Sequence, residues 1–349
     1  MISIRKTALA LVVAIGADML LFGSGSTLAQ QPTPLPRFPE AVLGISSPTE
    51  RVSGTPGNMR ITERSCREAP IEETRRRIVN AAAQEWAYFG FGIDEQPTGM
   101  AIETTAPSQN RARRPGMSTT EAMRLADSIA GYWAATPDSD WILQRQNQAW
   151  ETEGAGIRWR DAWSAAFISW VMCESGLGSP QQFERAIAHH TYIDQAILAA
   201  EGKNAAAAFL AYTPGEAAIA PGDLLCRGSR PAYQSIAQRR AQLGVGARTH
   251  CDIVVKVDEA AGQIMAIGGN VRGSVRMKVF PAIRNGKQHL RPLYDNGRIH
   301  FAHLQLKAPA IEADALDQSP SMRTVACSAP EPTLAPALAA TLSRPAVLC

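Results

Sequence analysis

The hydrophobic period of the chain changes once, at Pro221-Gly222, and that change restricts the possible folds more than any other feature. Before it, apolar residues recur at helical spacing. From Glu72 to Phe89, Ile78, Ala82, Trp86 and Phe89 share one face and Gly90 supplies a stop. Ser118-Thr119-Thr120-Glu121 opens a second helix with the spacing of a capping box, and Met123, Ala126, Ile129, Ala130 and Trp133 form its apolar stripe. Trp163 to Val171 is apolar nearly all round, which predicts a central helix rather than a superficial one. A fourth helix is expected from about Gln181 to Glu201. After Pro221-Gly222 come GDLLCR, CDIVVKVD, QIMAIGGNV, VRMKVFPA and RIHFAHLQL, short β-rich runs separated by turn residues. Helices first and strands afterwards predict an α+β fold, an antiparallel β-sheet packed on helices.

The ends of the chain read differently. Arg5 and Lys6 precede the apolar run ALALVVAIGADMLLFG, and Thr27-Leu28-Ala29 ends a stretch of small residues. That pattern predicts a secretory signal peptide over 1–29 and an exported, periplasmic or extracellular protein starting near Gln30. Asp18 interrupts the run, so no stable membrane span is expected after cleavage. Residues 30–59 read as a Pro-rich linker, 60–307 as the folded unit, 94–117 as a polar loop and 308–349 as an Ala/Pro-rich, disordered tail. A net charge of +3 and an aromatic content of 6% give no reason to expect nucleic acid. The clusters Arg75–Arg77 and Arg111, Arg113 and Arg114 are read as solvated faces. Six cysteines suit an oxidising compartment, and none has metal-ligand spacing, so neither a metal nor a cofactor is expected. Cys226 and Cys251, in consecutive strands, are expected to bridge; Cys327 and Cys349 are a second candidate pair, and Cys173 is expected as a free core thiol.

Candidate site residues follow the order of the elements. Ser164 heads the central helix in DAWSAAFISWVM, where a nucleophile would be presented from a helix N-terminus. His250 opens the strand HCDIVV, and Asn270 ends the next one in IGGNV. Asp252 lies two residues from His250, hence on its face of the strand, and is the alternative group to orient the imidazole. Trp163, His189 and Arg227 are candidates to contact substrate, although His189 also has the aromatic neighbours of a packed side chain. His300 and His303 are assigned no role.

This arrangement resembles the papain-like cell-wall hydrolases of the NlpC and CHAP groups, in WSAAFISWV, PGDLL, HCDIVV and GGN. The resemblance implies a central helix presenting a nucleophile against a sheet that supplies a histidine and a polar orienting residue. More narrowly, the chain is identified as a member of the bacterial domain of unknown function 2272 family. EWAYFG (85–90), WSAAFISWVM (163–172), the F-x-x-A-x-x-H-x-x-Y-I series from Phe183 to Ile193, GDLLCR (222–227), HCDIVV (250–255) and IGGNV (267–271) carry that likeness. It implies a fold and a cell-envelope setting.

The departure lies at the nucleophile. The papain-like pattern requires cysteine, whose pKa of about 8.5 a helix N-terminus and an imidazolium can depress. Ser164 would instead have to pass its proton to His250 during attack. Two readings stay open, and the retained histidine and amide favour the first. One is a hydrolase of peptidoglycan peptide or similar amide or ester bonds, with Ser164 as nucleophile, His250 as base, and Asn270 or Asp252 as orienter. The other is a catalytically inactive module that binds cell-wall peptide or glycan.

Overall fold

A computed structural model describes residues 33–95, 117–295 and 297–328. The signal-peptide reading, most of the 94–117 loop, and residues 329–349 lie outside the described residues. In chain order the first elements are α1 (Glu40–Leu43), β1 (Val52–Ser53), β2 (Arg60–Ile61), α2 (Ile71–Tyr88) and β3 (Ile93–Glu95). Then come α3 (Thr119–Arg124), α4 (Ala126–Ala134), α5 (Asp140–Glu153), α6 (Ser164–Glu174) and α7 (His189–Ala200). The second half contains β4 (Phe209–Tyr212), β5 (Leu224–Arg230), α8 (Ile236–Arg240), β6 (Arg248–Asp258), β7 (Gln263–Val271), β8 (Ser274–Ile283), β9 (Arg291–Pro292), β10 (His300–Leu306) and α9 (Pro320–Ser328). The α+β class follows directly.

The main sheet runs β3-β8-β7-β6-β5-β10-β4, with β9 also paired to β8. Every pair is antiparallel except β3 with β8, so the sheet is mixed rather than purely antiparallel. Its two faces have different company. Cys251, Ile253 and Val255 of β6 join the large core that holds α2, α4, α6 and α7. Val254, with Leu225, Ile264, Ala266 and Phe280, belongs to a smaller cluster on the far side. The sheet approaches α6 closely at β7, where a Cβ on Gly269 would lie 2.5 Å from Cβ of Phe167.

Helix α6 is apolar all round because it is enclosed: Ala166, Phe167, Ile168, Trp170, Val171, Met172 and Cys173 are all fully buried. The expected capping box forms by half at the start of α3: the Glu121 N–H donates to Ser118 Oγ at 3.2 Å, while the Glu121 carboxylate accepts from Arg124 instead. The helix expected from Gln181 begins only at His189. Before it the chain folds back on α7, held by Gln195, whose amide donates to Pro180 O and accepts from the Glu184 N–H.

Three stretches pack more than their composition suggests. Residues 33–59, read as a linker, bury Leu43, Ile45 and Met59, and pair Arg37 with the buried Glu85. The start of the supposed disordered tail buries Ala315 and Leu316, and pairs Lys256 with Asp317 at 2.7 Å. Arg75, read as solvated, is buried and holds Asp223 at 2.7 Å, and His303 reaches the other oxygen of the same carboxylate at 2.8 Å. Asp223 also accepts the N–H groups of Ala220 and Leu306, so this turn residue ties α2 to β10.

Cys226 and Cys251 are direct partners across β5 and β6 and form the expected disulfide. Cys173 is not free: it bridges to Cys66. The segment before α2 runs against the C-terminal end of α6, where the Arg67 N–H donates to Cys173 O at 3.2 Å, and this brings the two thiols together. Cys327 is also disulfide-bonded, and Cys349 lies outside the described residues.

Candidate functional site

Ser164 is the first residue of α6 and His189 the first of α7, and their side chains meet, His189 Nε2 to Ser164 Oγ, at 2.7 Å. Two helix N-termini therefore converge, each with unpaired N–H groups and the positive end of its dipole. Ser164 remains half-exposed, whereas His189 is buried. The far side of the imidazole is held by two groups. The Cys251 backbone N–H donates to Nδ1 at 3.3 Å, and the Tyr192 hydroxyl bonds the same atom one helical turn on.

The Cys251 contact, in which a backbone N–H can only donate, favours the tautomer with the ring hydrogen on Nε2. In that tautomer His189 donates to Ser164 Oγ instead of accepting its proton. Burial pushes the His189 pKa well below the usual imidazole range, and His250 pushes the same way, only partly opposed by the Asp252 carboxylate. The ring is neutral at physiological pH.

His250 occupies the same end of the sheet but makes other bonds. Its Nε2 contacts Asp252 Oδ1 at 2.9 Å, and its ring meets His189 edge to face with centroids 5.1 Å apart. Strand alternation turns Cys251 toward the helices and Asp252 toward the far side, so the His250–Asp252 pair extends away from α6. Ser164 is bonded to His189 rather than His250. Asp252 is the orienting partner of His250. Asn270 is not placed to be one: it has a left-handed φ of +56° in the β7–β8 hairpin, and its side chain makes no hydrogen bond among the described residues. Gly268 leaves room for the pair, since a Cβ there would lie 1.9 Å from Asp252 Oδ1.

Below His250 the far face holds a buried ionic chain. Lys278 Nζ bonds Asp252 Oδ2 at 2.9 Å and Asp295 Oδ2 at 2.8 Å, and the Arg227 guanidinium also bonds Asp295. Burial favours the neutral acids, but His250 and Lys278 outweigh it at Asp252, and Lys278 and Arg227 outweigh it at Asp295; both carboxyls stay far below their usual range. Asp252, Asp295 and His300 have donor atoms within 4.8 Å of one another, a set able in principle to hold a metal ion. The Lys278 ammonium already bridges the two carboxylates there. Two acids are balanced by two bases, so a divalent ion would have to displace or deprotonate the lysine.

Arg227 is thus committed to Asp295 and Ser229 rather than to a substrate carboxylate. Trp163 is buried and packs on Phe89 and Tyr132 at 6.0 and 5.7 Å, a core contact. The residues that sequence reasoning left out are Tyr192, Lys278 and Asp295. The spacing His189-x-x-Tyr192 was a signal for the first, since i and i+3 share a helix face.

Fold and site together define a mixed α+β domain with a serine–histidine pair where two helices begin. The chain belongs to the domain of unknown function 2272 family, described as an uncharacterized protein conserved in bacteria, whose family model matches residues 120–306. That span includes Ser164, His189 and every strand from β4 to β10, but not α2, where EWAYFG lies. No curated protein and no solved structure matches the chain. Among the described residues, no helix is long and apolar enough to cross a membrane.

Proposed function

We propose that this domain is an exported cell-envelope module that binds cell-wall peptide or glycan at the Ser164–His189 end of the sheet without cleaving it. The observation that carries the reading is the Cys251 N–H on His189 Nδ1. It favours the tautomer in which the imidazole donates to Ser164, and in that tautomer the base that serine attack requires is already protonated at the nitrogen facing the nucleophile. The Ser164 hydroxyl then has its own hydrogen to offer a ligand carbonyl or hydroxyl, and the two helix N-termini favour an oxygen-rich or anionic group. The papain-like architecture belongs to this proposal. In its support, α6 packs on the neighbouring strands β6 and β7, which carry His250 and Asn270 in the expected chain order. Export is supported by the n-region, h-region and Ala29, and by the disulfides.

Hydrolysis is the second reading, favoured by the 2.7 Å Ser164–His189 contact at a helix start. Cosedimentation with purified cell wall, followed by analysis of the supernatant for released fragments, separates the two. Binding predicts retention on the wall, no release, and at most about a tenfold loss of affinity in Ser164→Ala, the worth of one hydrogen bond. Fragment release by wild type that Ser164→Ala and His189→Ala both abolish would establish the hydrolase instead.

A further inference from the structure

The Cys66–Cys173 disulfide lies far along α6 from Ser164 and differs in its surroundings from Cys226–Cys251. Cys66 is half-buried and lines a cavity of ≈ 520 Å³ together with Arg51, Arg67, Glu50 and Glu174. Cys173 is fully buried, yet two guanidiniums reach its sulfur: Arg51 Nη2 at 3.5 Å and Arg185 Nη1 at 3.6 Å. Arg51 has a carboxylate partner in Glu174. Arg185 has none among the described residues. Its remaining bonds go to the carbonyls of Ala135 and Gly178, and its Nε, buried, has no partner. Cys226 and Cys251 are fully buried in paired core strands, and neither sulfur receives a hydrogen bond among the described residues.

A half-buried guanidinium without a carboxylate gains little from a neutral disulfide. It would gain a counter-ion if Cys173 carried a negative charge. The reachable sulfur and the stabilised sulfur are thus different atoms of one bond, the asymmetry that directs thiol–disulfide exchange: attack falls on the accessible sulfur, and the better-stabilised thiolate leaves.

We propose that Cys66–Cys173 is a thiol–disulfide exchange site for an external dithiol. A thiolate of the dithiol attacks Cys66 Sγ, the Cys66–Cys173 bond breaks, and its electron pair leaves on Cys173 Sγ between Arg51 and Arg185. The second thiolate of the dithiol then attacks its own sulfur in the mixed disulfide and releases Cys66. The protein gains two electrons and, once both thiols are neutral, two protons; the dithiol loses the same and closes to a disulfide. Cys226–Cys251 takes no part.

The test is reduction of the native protein with graded dithiothreitol, quenching with an alkylating reagent, and peptide mapping, with far-ultraviolet circular dichroism recorded in parallel. Cys66 should be labelled while the spectrum stays native, at least about tenfold faster than Cys226 or Cys251. In the reduced protein, thiolate absorbance should show one cysteine ionising below the ordinary thiol range of about 8.5, and Arg185→Gln should return it toward that value and slow reduction. If Arg185→Gln does not fold, the wild-type labelling order and thiolate titration decide alone. Reduction of both bridges together, only as the spectrum is lost, would overturn the proposal. So would a Cys66/Cys173 pair that titrates as ordinary thiols.

Discussion

His300 is buried at 5% exposure, edge-on to Phe280 with centroids 4.7 Å apart, and both of its ring nitrogens are without a hydrogen bond. Burial pushes its pKa down to about 4, against the pull of the Asp295 and Asp252 carboxylates. Between about pH 4 and the unfolded value of about 6.5, the unfolded chain binds the extra proton and the folded chain does not. Stability therefore rises with pH across that window: the contribution is complete above it and lost as pH falls through it. The full difference corresponds to about 3 kcal/mol. His300→Leu, which removes two unpartnered polar atoms, should be within about 1 kcal/mol of wild type at pH 7. It should also be less sensitive to acid by about 2.5 kcal/mol, measured by urea unfolding at about pH 4.5 and about pH 7. His189 and His250 are depressed in the same direction but are present in both proteins and cancel. Equal pH slopes would show that His300 is not the source.

Lys278 makes the opposite case, because every one of its bonds is to a buried carboxylate. Lys278→Met would leave Asp252 and Asp295 facing each other and should cost about 3–5 kcal/mol, read from the denaturation midpoint. A cost below about 1 kcal/mol would mean that the carboxylates are protonated or hydrated in the folded state.

Among the elements, the approach of α6 to β7 depends on Gly269. Its absent Cβ would lie 2.5 Å from Phe167 Cβ and 2.7 Å from Cγ, so Gly269→Ala must move the helix off the strand or the phenylalanine out of its place. The expected cost is about 1–3 kcal/mol, and on the proposed function cell-wall binding should weaken with it because α6 carries Ser164. Unchanged stability would place slack between helix and sheet. Much of this layer was legible beforehand: α2, α6 and the five late strands follow their apolar spacing, and the Ser118 cap marks the start of α3. Helix α5 was not, because its inner stripe includes Gln146, whose amide accepts the Arg160 N–H and donates to Arg158 O rather than packing like a hydrocarbon. Strands β3 and β4 are too short to show an alternation. The serine at the head of α6 could be read from the sequence, and its histidine could not. Which of six histidines meets Ser164 depends on where α7 begins, and a Gln195-braced fold-back determines that rather than a local motif. The parity of β6 was read correctly for Asp252 but says nothing about which face turns to α6.

For the molecule as a whole, the cross-links differ in reach. Cys66–Cys173 spans 107 residues of chain and Cys226–Cys251 spans 25. Loop-closure entropy assigns about 5 kcal/mol to the first and about 3.5 kcal/mol to the second at room temperature. The paired replacement Cys66→Ala with Cys173→Ala should therefore lower the unfolding temperature more than Cys226→Ala with Cys251→Ala, as thermal melts without reductant would register. The reverse order would mean that the β5–β6 bridge contributes through packing in the folded core and not through the unfolded chain.

The parallel contact of β3 with β8 has a further consequence. The outer edge of β8 is divided between two short strands, β3 along Met277–Val279 and β9 at Ala282 and Ile283. Until both arrive, β8 and the apolar β7 behind it present open backbone to any other chain. The strand that covers the first half comes from residues 93–95, more than 180 positions away, so its docking requires a large loop to close and belongs to the late steps of folding. During that interval a half-built sheet has the same unpaired edge as an aggregating one, and crowding among newly made chains, not the stability of the finished domain, governs how many reach the native state.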